Sequence, residues 1–172
     1  KNQVLERVLV EDYAAEGKSL SRVNGKVIFI EGAVPGDVVD VLLGKNKKDW
    51  AEGKAIRMHS LSANRTEPFC SHFGICGGCK WQMLPYKKQL EYKQNEVEQN
   101  LRRLGHISLP PVLPILGCDK TVRYRNKLEF TFSNHRYKTW DEIQKDPLPL
   151  QPRAERKEDP ALGFHVPRIF DK

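Results

Sequence analysis

The sequence predicts a mainly β protein with one long helix, in which a small barrel is followed by a cysteine loop and a second β-rich segment. Short β-branched runs separated by tight turns occupy residues 1–60, and this pattern is typical of a five-stranded barrel of the OB type. A proline-initiated amphipathic stretch over residues 85–104 predicts the helix. Regular alternation of apolar and polar residues over 122–133 predicts a long strand.

The barrel prediction depends most on one turn. Asn24-Gly25 separates two β-rich runs, and this dipeptide favours a two-residue hairpin because both turn positions need positive φ. Pro35-Gly36-Asp37 marks the next turn. The expected strands are 4–13, 19–23, 26–30, 38–43 and 50–58.

A basic stretch with one tryptophan lies between the last two predicted strands. The formal net charge of the 172 residues is +7, which suits a polyanionic partner such as nucleic acid. Barrels of this type bind single strands through basic faces that carry a few aromatic rings. We therefore take Lys45, Lys47, Lys48 and Trp50 as candidate RNA contacts. A solvated loop with no ligand is the equal alternative.

Three of the four cysteines fall within ten residues. Cys70, Cys76 and Cys79 form the pattern C-x5-C-G-G-C, and the two glycines allow the backbone to turn tightly around a bulky group. A zinc ribbon needs two C-x2-C pairs, so the spacing favours an iron–sulfur centre. Structural zinc, a disulfide and buried thiols stay open as alternatives. The fourth ligand is Cys118, His72 or a residue outside this sequence.

The region after the loop has its own boundaries. Pro85 fits the first helical position, and Gly105 is expected to supply a left-handed stop. Residues 107–117 are proline-rich and predict a connector. The polar residues 138–160 predict an insertion, and residues 161–166 predict a strand that pairs back to close a hairpin.

The predicted strand at 122–133 carries three cations on one side. Period-two alternation would place Arg123, Arg125 and Lys127 about 7 Å apart on one face, which roughly matches the spacing of single-strand phosphates. These are the second set of candidate RNA contacts. A solvent-facing strand side with incidental charge is the alternative.

Several protein classes are disfavoured. No apolar run approaches the length of a membrane span, and the start KNQVLERVLVEDY does not resemble a secretory leader. Clustered cysteines without such a leader favour the cytoplasm. We find no Gly-x-Gly-x-x-Gly motif that follows a strand. The first residue is Lys1, so we expect a fragment of a longer protein.

Together, these residues closely resemble the RNA (uracil-5-)-methyltransferase family, and the branch with a 4Fe-4S cluster that acts on ribosomal RNA matches best. The resemblance covers nearly the whole chain. It rests on the 32–37 turn, Cys70, the Cys76–Cys79 block with Gln82, the helix start at 86–90 and Tyr124-Arg125-Asn126-Lys127.

The resemblance implies a TRAM barrel over 1–60 that grips RNA, a cluster loop and helix over 61–106, and part of a central domain over 107–172. It implies that Cys70, Cys76 and Cys79 hold a structural 4Fe-4S cluster whose fourth cysteine lies beyond Lys172, so residues 1–172 alone would leave the cluster one ligand short. Catalysis would require S-adenosylmethionine and a Rossmann-like domain that this sequence lacks. No catalytic residue, membrane contact or protein partner is therefore expected here. The alternative is a metal-stapled RNA-binding module without catalysis.

Overall fold

The computed structural model describes residues 3–124, 126–134, 136, 140–145 and 160–164. As predicted, strands predominate and one helix is long. The helices are α1 (Tyr86–Arg103) and α2 (Trp140–Lys145), and a single 3-10 turn spans Ala15–Gly17. The strands are β1 (Val4–Leu9), β2 (Asp12–Tyr13), β3 (Ser19–Val23), β4 (Lys26–Glu31), β5 (Val38–Asn46), β6 (Trp50–Ser60), β7 (Thr131–Ser133) and β8 (Ala161–Gly163).

The first six strands form one sheet in the order β1-β5-β6-β4-β3-β2. The β3–β4 hairpin turns at Asn24 and Gly25, whose φ angles are 51° and 78°, as the Asn-Gly dipeptide predicts. Strands β4 and β6 run parallel, with Val27 opposite Trp50 and Phe29 opposite Glu52. The other pairs are antiparallel.

The sheet has six strands rather than five, and it does not close into a barrel. The first predicted strand divides into β1, which pairs with β5, and β2, which pairs with β3. Between them, the Val10 N–H donates to Asp37 O and the Glu11 N–H to Leu20 O, both at 2.9 Å. Val10 and Glu11 therefore bridge the two ends of the sheet, but among the described residues no β1–β2 ladder completes the circuit.

The core lies on the inner face of this sheet. Successive strand residues alternate between faces, so β4 buries Ile28 and Ile30 while β5 buries Val39 and Val41. The full buried cluster consists of Val8, Val10, Ile28, Ile30, Ala33, Val39, Val41, Leu43 and Ala51. The outer face of β4 and β6 is left for other contacts.

A buried carboxylate fixes the corner between β4 and β5. Asp37 is fully buried and accepts hydrogen bonds from the backbone N–H groups of Val34 and Ser62, each at 2.8 Å. Arg65 donates to the same carboxylate from Nε at 2.9 Å and Nη2 at 2.7 Å. This network attaches the segment that leaves β6 to the turn that precedes β5.

The predicted helix is present as α1, but it begins at Tyr86, so Pro85 precedes the helix instead of taking its first position, and its end also differs from the prediction. Residue 106 rather than Gly105 takes the left-handed conformation, since His106 has φ 51° and Gly105 is not among the positive-φ residues. Glycine is still required at 105, where a Cβ would lie 2.7 Å from the Leu101 carbonyl oxygen. Within the described residues, no helix is long and apolar enough to cross a membrane.

The chain divides into two compact units. The described residues of Lys1–Phe69 and Lys80–Val122 form the first, and those of Cys70–Cys79 and Arg123–Lys172 form the second. In the second unit, β7 pairs antiparallel with β8, with Phe132 opposite Leu162. The predicted hairpin is therefore present for these residues. Of the expected insertion at 138–160, the structure describes α2 and Pro160, and the other residues lie outside the described part.

The long strand predicted over 122–133 is wrong for most of its length. Of the described residues in this stretch, only Thr131–Ser133 form a strand, and they pair with the three residues of β8. Arg123 also interrupts an extended backbone, since its φ is 55°.

Candidate nucleic-acid interface and cysteine loop

The predicted basic residues and tryptophan meet at the β5–β6 hairpin. Strand β5 extends to Asn46, so Lys45 lies on a strand while Lys47 and Lys48 lie in the turn. The Lys47 N–H donates to Trp50 O at 2.9 Å and closes that turn. The Lys45 ammonium lies 5.1 Å from the centroid of the Trp50 ring, which is a cation–π contact.

Trp50 belongs to a cleft on the outer face of the sheet. Because Val27 pairs with Trp50 and Phe29 with Glu52, these four side chains share the face opposite the buried Ile28 and Ala51. The Phe29 and Trp50 rings meet edge to face with centroids 6.3 Å apart. With Asp49 at the rim, these residues line a shallow, open cleft of about 400 Å³.

The charges around the cleft are mixed. Glu52 accepts a hydrogen bond from Lys18 Nζ at 3.1 Å, and this bond is the main reason that the pKa of Lys18 is raised. Asp49 is exposed, and its carboxylate makes no hydrogen bond to any described residue, although its backbone oxygen accepts from the Val27 N–H. The nearby cations precede Asp49 and Trp50 in the sequence: Lys45 lies in β5, and Lys47 and Lys48 lie in the turn.

Val27, Phe29 and Asp49 were missed by the sequence analysis. Alternation in 26–30 indicates that Val27 and Phe29 share a face. It does not indicate that β4 pairs with β6 rather than with β5. That parallel pairing, which the sequence does not display, brings Phe29 beside Trp50.

The second set of predicted RNA contacts is not arranged as expected. Arg123 precedes β7 with a left-handed backbone, and Lys127 forms a 2.9 Å ion pair with Glu129 outside any strand. Arg125 lies outside the described residues. The strand-face arrangement predicted for Arg123 and Lys127 is therefore wrong, because neither residue is in a strand.

The cysteine loop is built from consecutive turns. The His72 carbonyl oxygen accepts from the N–H groups of Ile75 and Cys76 at 3.1 and 3.2 Å, and the Phe73 N–H donates to Cys70 O at 3.0 Å. Gly77 has φ 69°, a conformation that residues with a Cβ rarely adopt. Of the thiols, Cys70 and Cys76 are half-buried and Cys79 is exposed.

The loop has the donor chemistry of a soft-metal site, because three thiols and a histidine lie within ten residues. Within the described part of the chain, however, no three His, Cys, Asp or Glu side chains lie close enough together to hold a metal ion. Cys118, proposed as a fourth ligand, is exposed, and its thiol donates to Lys120 O at 3.3 Å.

The two ends of the loop are held together within the first unit. The Thr66 N–H donates to Met83 O at 3.0 Å. Just after the loop, Trp81 packs on Tyr13 with centroids 5.3 Å apart, and Tyr13 packs on Tyr92 of α1 at 4.2 Å. Burial, helped by Tyr92, raises the pKa of Tyr13.

A tight turn at Glu16 and Gly17 also contacts the residues that follow the cysteine loop. Lys80 Nζ donates to Glu16 O at 2.9 Å, and Gly17 has φ 74°. A Cβ at Gly17 would lie 2.9 Å from Nε1 of Trp81, so the turn accepts only glycine without rearrangement.

Comparison with known proteins adds a family for part of the chain and relatives for most of it. A family model of the TRAM domain matches residues 4–56. An uncharacterized RNA methyltransferase from Bacteroides thetaiotaomicron is 53% identical over 92% of this chain and 34% of its own length. One from Chlorobaculum tepidum is 37% identical over 100% of this chain and 35% of its own length.

A relative with a more specific name is also similar. The 23S rRNA (uracil(1939)-C(5))-methyltransferase of Vibrio vulnificus is 37% identical over 72% of this chain and 28% of its own length. The chain thus spans about a third of the curated relatives it matches. Residues 4–56 are thus similar to the TRAM domain, and most of the chain is similar to proteins named RNA methyltransferases.

Proposed function

We propose that this chain is the RNA-binding portion of an S-adenosylmethionine-dependent 23S rRNA (uracil-5-)-methyltransferase that makes 5-methyluridine in the cytoplasm. The observation that carries the proposal is the β5–β6 hairpin, within the residues that match the TRAM domain, which places Lys45 against the Trp50 ring of the aromatic cleft and carries Lys47 and Lys48 in its turn. The resemblance to RNA methyltransferases extends beyond this domain over most of the chain.

The hairpin has the two elements that single-stranded RNA requires. Ammonium groups neutralise phosphates and release their counterions, which gives affinity that falls with salt. An aromatic face stacks on bases of any sequence. The Lys45–Trp50 contact holds one cation against the ring before RNA arrives. Base and phosphate contacts can therefore form together at this hairpin.

In the parent enzyme, the chemistry belongs to a domain outside this chain. S-adenosylmethionine would supply the methyl group, and a cysteine thiolate would add to C6 of uracil so that C5 becomes nucleophilic. We assign no catalytic role to any residue of residues 1–172. The role of this chain is to bind and orient the RNA.

We further propose that Cys70, Cys76 and Cys79 hold a structural 4Fe-4S cluster in the parent protein, with a fourth ligand from outside this chain. Their thiolate chemistry and the positive φ of Gly77 suit such a group. Bound iron would draw the thiols together, since metal binding and local folding are coupled in such loops.

The RNA-binding proposal is tested by titrating a fluorescein-labelled single-stranded RNA with the chain at several salt concentrations. The triple variant Lys45→Gln/Lys47→Gln/Lys48→Gln should bind more weakly at low salt. Its slope of log affinity against log salt should fall by about 2, since each single-strand phosphate contact contributes about 0.7. As a control, Lys87→Gln/Arg102→Gln/Arg103→Gln removes the same charge from exposed positions of α1.

Equal losses in the two triple variants would mean that the hairpin has no special role. A slope near zero for the wild type would refute RNA binding. Methyl transfer from S-adenosylmethionine to RNA by this chain alone would contradict the assignment of catalysis to another domain. Iron and sulfide analysis of the anaerobically isolated parent protein, with Cys79→Ser as the comparison, tests the cluster.

A further inference from the structure

We infer that the cleft at Trp50 is a binding site for one unpaired guanine base of an RNA strand. This inference rests on the RNA-binding function proposed above and assigns the base that the site accepts. The cleft has an apolar floor with one acidic rim residue and a set of lysines beside it.

The floor suits a planar ring. Val27, Phe29 and Trp50 are half-buried side chains on the outer sheet face, and they leave an open volume of about 400 Å³. A base in the cleft can contact the Trp50 ring, and aromatic rings of this kind stack on bases. The Lys45 ammonium lies 5.1 Å from the centroid of the same ring, so a cation is available for a phosphate next to the bound base.

The rim excludes phosphate and favours a hydrogen-bond donor. Asp49 and Glu52 both line the cleft, and a phosphate placed there would meet two carboxylates. Glu52 is already engaged by Lys18 at 3.1 Å. Asp49 is exposed and its carboxylate makes no hydrogen bond to a described residue, so the two carboxylate oxygens can accept from a ligand.

Only one common base presents a matching edge. The Watson–Crick edge of guanine has two adjacent donors, N1–H and the 2-amino group, which a carboxylate can accept side by side. Adenine and cytosine place a lone pair beside their amino group, and uracil places two carbonyls beside its single N–H. An ionised carboxylate would be repelled by those lone pairs. The chemistry of the rim therefore selects guanine by its donor pattern.

The lysines complete the site by holding the strand. Lys47 and Lys48 lie in the turn that also contains Asp49, and Lys45 lies at the end of β5. A strand whose base enters the cleft would have flanking phosphates within reach of these flexible side chains. Acidic and basic groups then have separate roles: the carboxylate selects the base and the ammonium groups bind the backbone.

The test uses four RNAs of nine nucleotides. One contains only uridine, and the other three carry a central guanine, inosine or adenine. Binding to the whole chain is measured at low salt by fluorescence anisotropy. We expect the guanine strand to bind about 10-fold more tightly than the adenine strand. Inosine, which keeps N1–H but lacks the 2-amino group, should fall between them.

Two variants locate the preference. Asp49→Asn should bring the guanine-to-adenine ratio close to 1, while Glu6→Gln, which removes the same charge from exposed β1, should keep it. The guanine strand should quench the tryptophan emission of the wild type. Trp50→Phe, which keeps a ring in the cleft, should abolish this quenching. Circular dichroism confirms that each variant is folded.

The outcomes separate this inference from the function on which it rests. If all four strands bind equally well, or if Asp49→Asn keeps the preference, the guanine site is refuted and RNA binding stands. If none of the four binds at low salt, both fail. A guanine preference that Asp49→Asn removes and Glu6→Gln retains supports both.

Discussion

Asp37 is the buried carboxylate that joins the β4–β5 corner to the segment after β6, and Asp37→Asn should destabilise the fold markedly. The carboxylate accepts from Val34 N–H and Ser62 N–H at 2.8 Å and from two nitrogens of Arg65. An asparagine amide would turn an NH2 group toward some of these donors and leave the guanidinium uncompensated. Removing one partner of a buried pair costs about 3–5 kcal/mol.

We expect Asp37→Asn to lower the free energy of unfolding by about 3 kcal/mol, the lower end of this range, because the Arg65 side chain is 19% exposed and keeps some hydration. Urea denaturation followed by circular dichroism measures the free energy of unfolding. Asp49→Asn is the matched control, since the same change at an exposed position should cost less than about 0.5 kcal/mol. In the double variant with Arg65→Gln, the two losses should be clearly less than additive. A loss below about 1 kcal/mol for Asp37→Asn, or strict additivity, would refute the reasoning.

Two further predictions concern the same sheet. The hydrogen bond from the Arg7 N–H, with help from His59, lowers the pKa of Asp40 in the folded protein. The Asp40 carboxylate therefore stabilises the fold at pH values above its ordinary pKa of 3.8. This stabilisation is lost as the pH falls through the lower pKa of the folded state. Unfolding midpoints in urea across an acid series should therefore fall less steeply for Asp40→Asn than for the wild type, and parallel curves would contradict this. At Gly53, a Cβ would lie 2.5 Å from a side-chain carbon and 2.7 Å from a carbonyl oxygen of β5, so Gly53→Ala should cost about 1–3 kcal/mol. Thermal unfolding should show a lowered midpoint for that variant but not for Gly44→Ala, whose new methyl group would meet its nearest neighbour at 3.8 Å.

Local chemistry made the sheet predictable in outline. The hairpin at Asn24-Gly25 and the helix start at Pro85 are fixed by residues whose backbone preferences need no distant partner. The division of the first strand was not predictable, because it depends on Val10 bonding to Asp37, just before β5, and on Glu11 bonding to Leu20 of β3.

The candidate site shows the same limit. The lysines and Trp50 were predicted because they are close in sequence, whereas Phe29 joins them through the pairing of β4 with β6. The alternation around Arg123 predicted a strand, yet a strand also needs a neighbour, and among the described residues β8 pairs only with Thr131–Ser133. The alternation of apolar and polar residues in one segment does not indicate whether another strand is available to pair with it.

The hydrogen bond between Thr66 and Met83 has a consequence for how the sulfur-bearing segment can evolve and be engineered. Because the two ends of the segment are already close, its interior can vary in length or sequence at a modest entropic cost, which grows only slowly with loop length. Replacing residues 70–79 by a short glycine-serine linker should therefore leave the six-stranded sheet and α1 in place, because Lys80 and Trp81, which contact Glu16 and Tyr13, are retained.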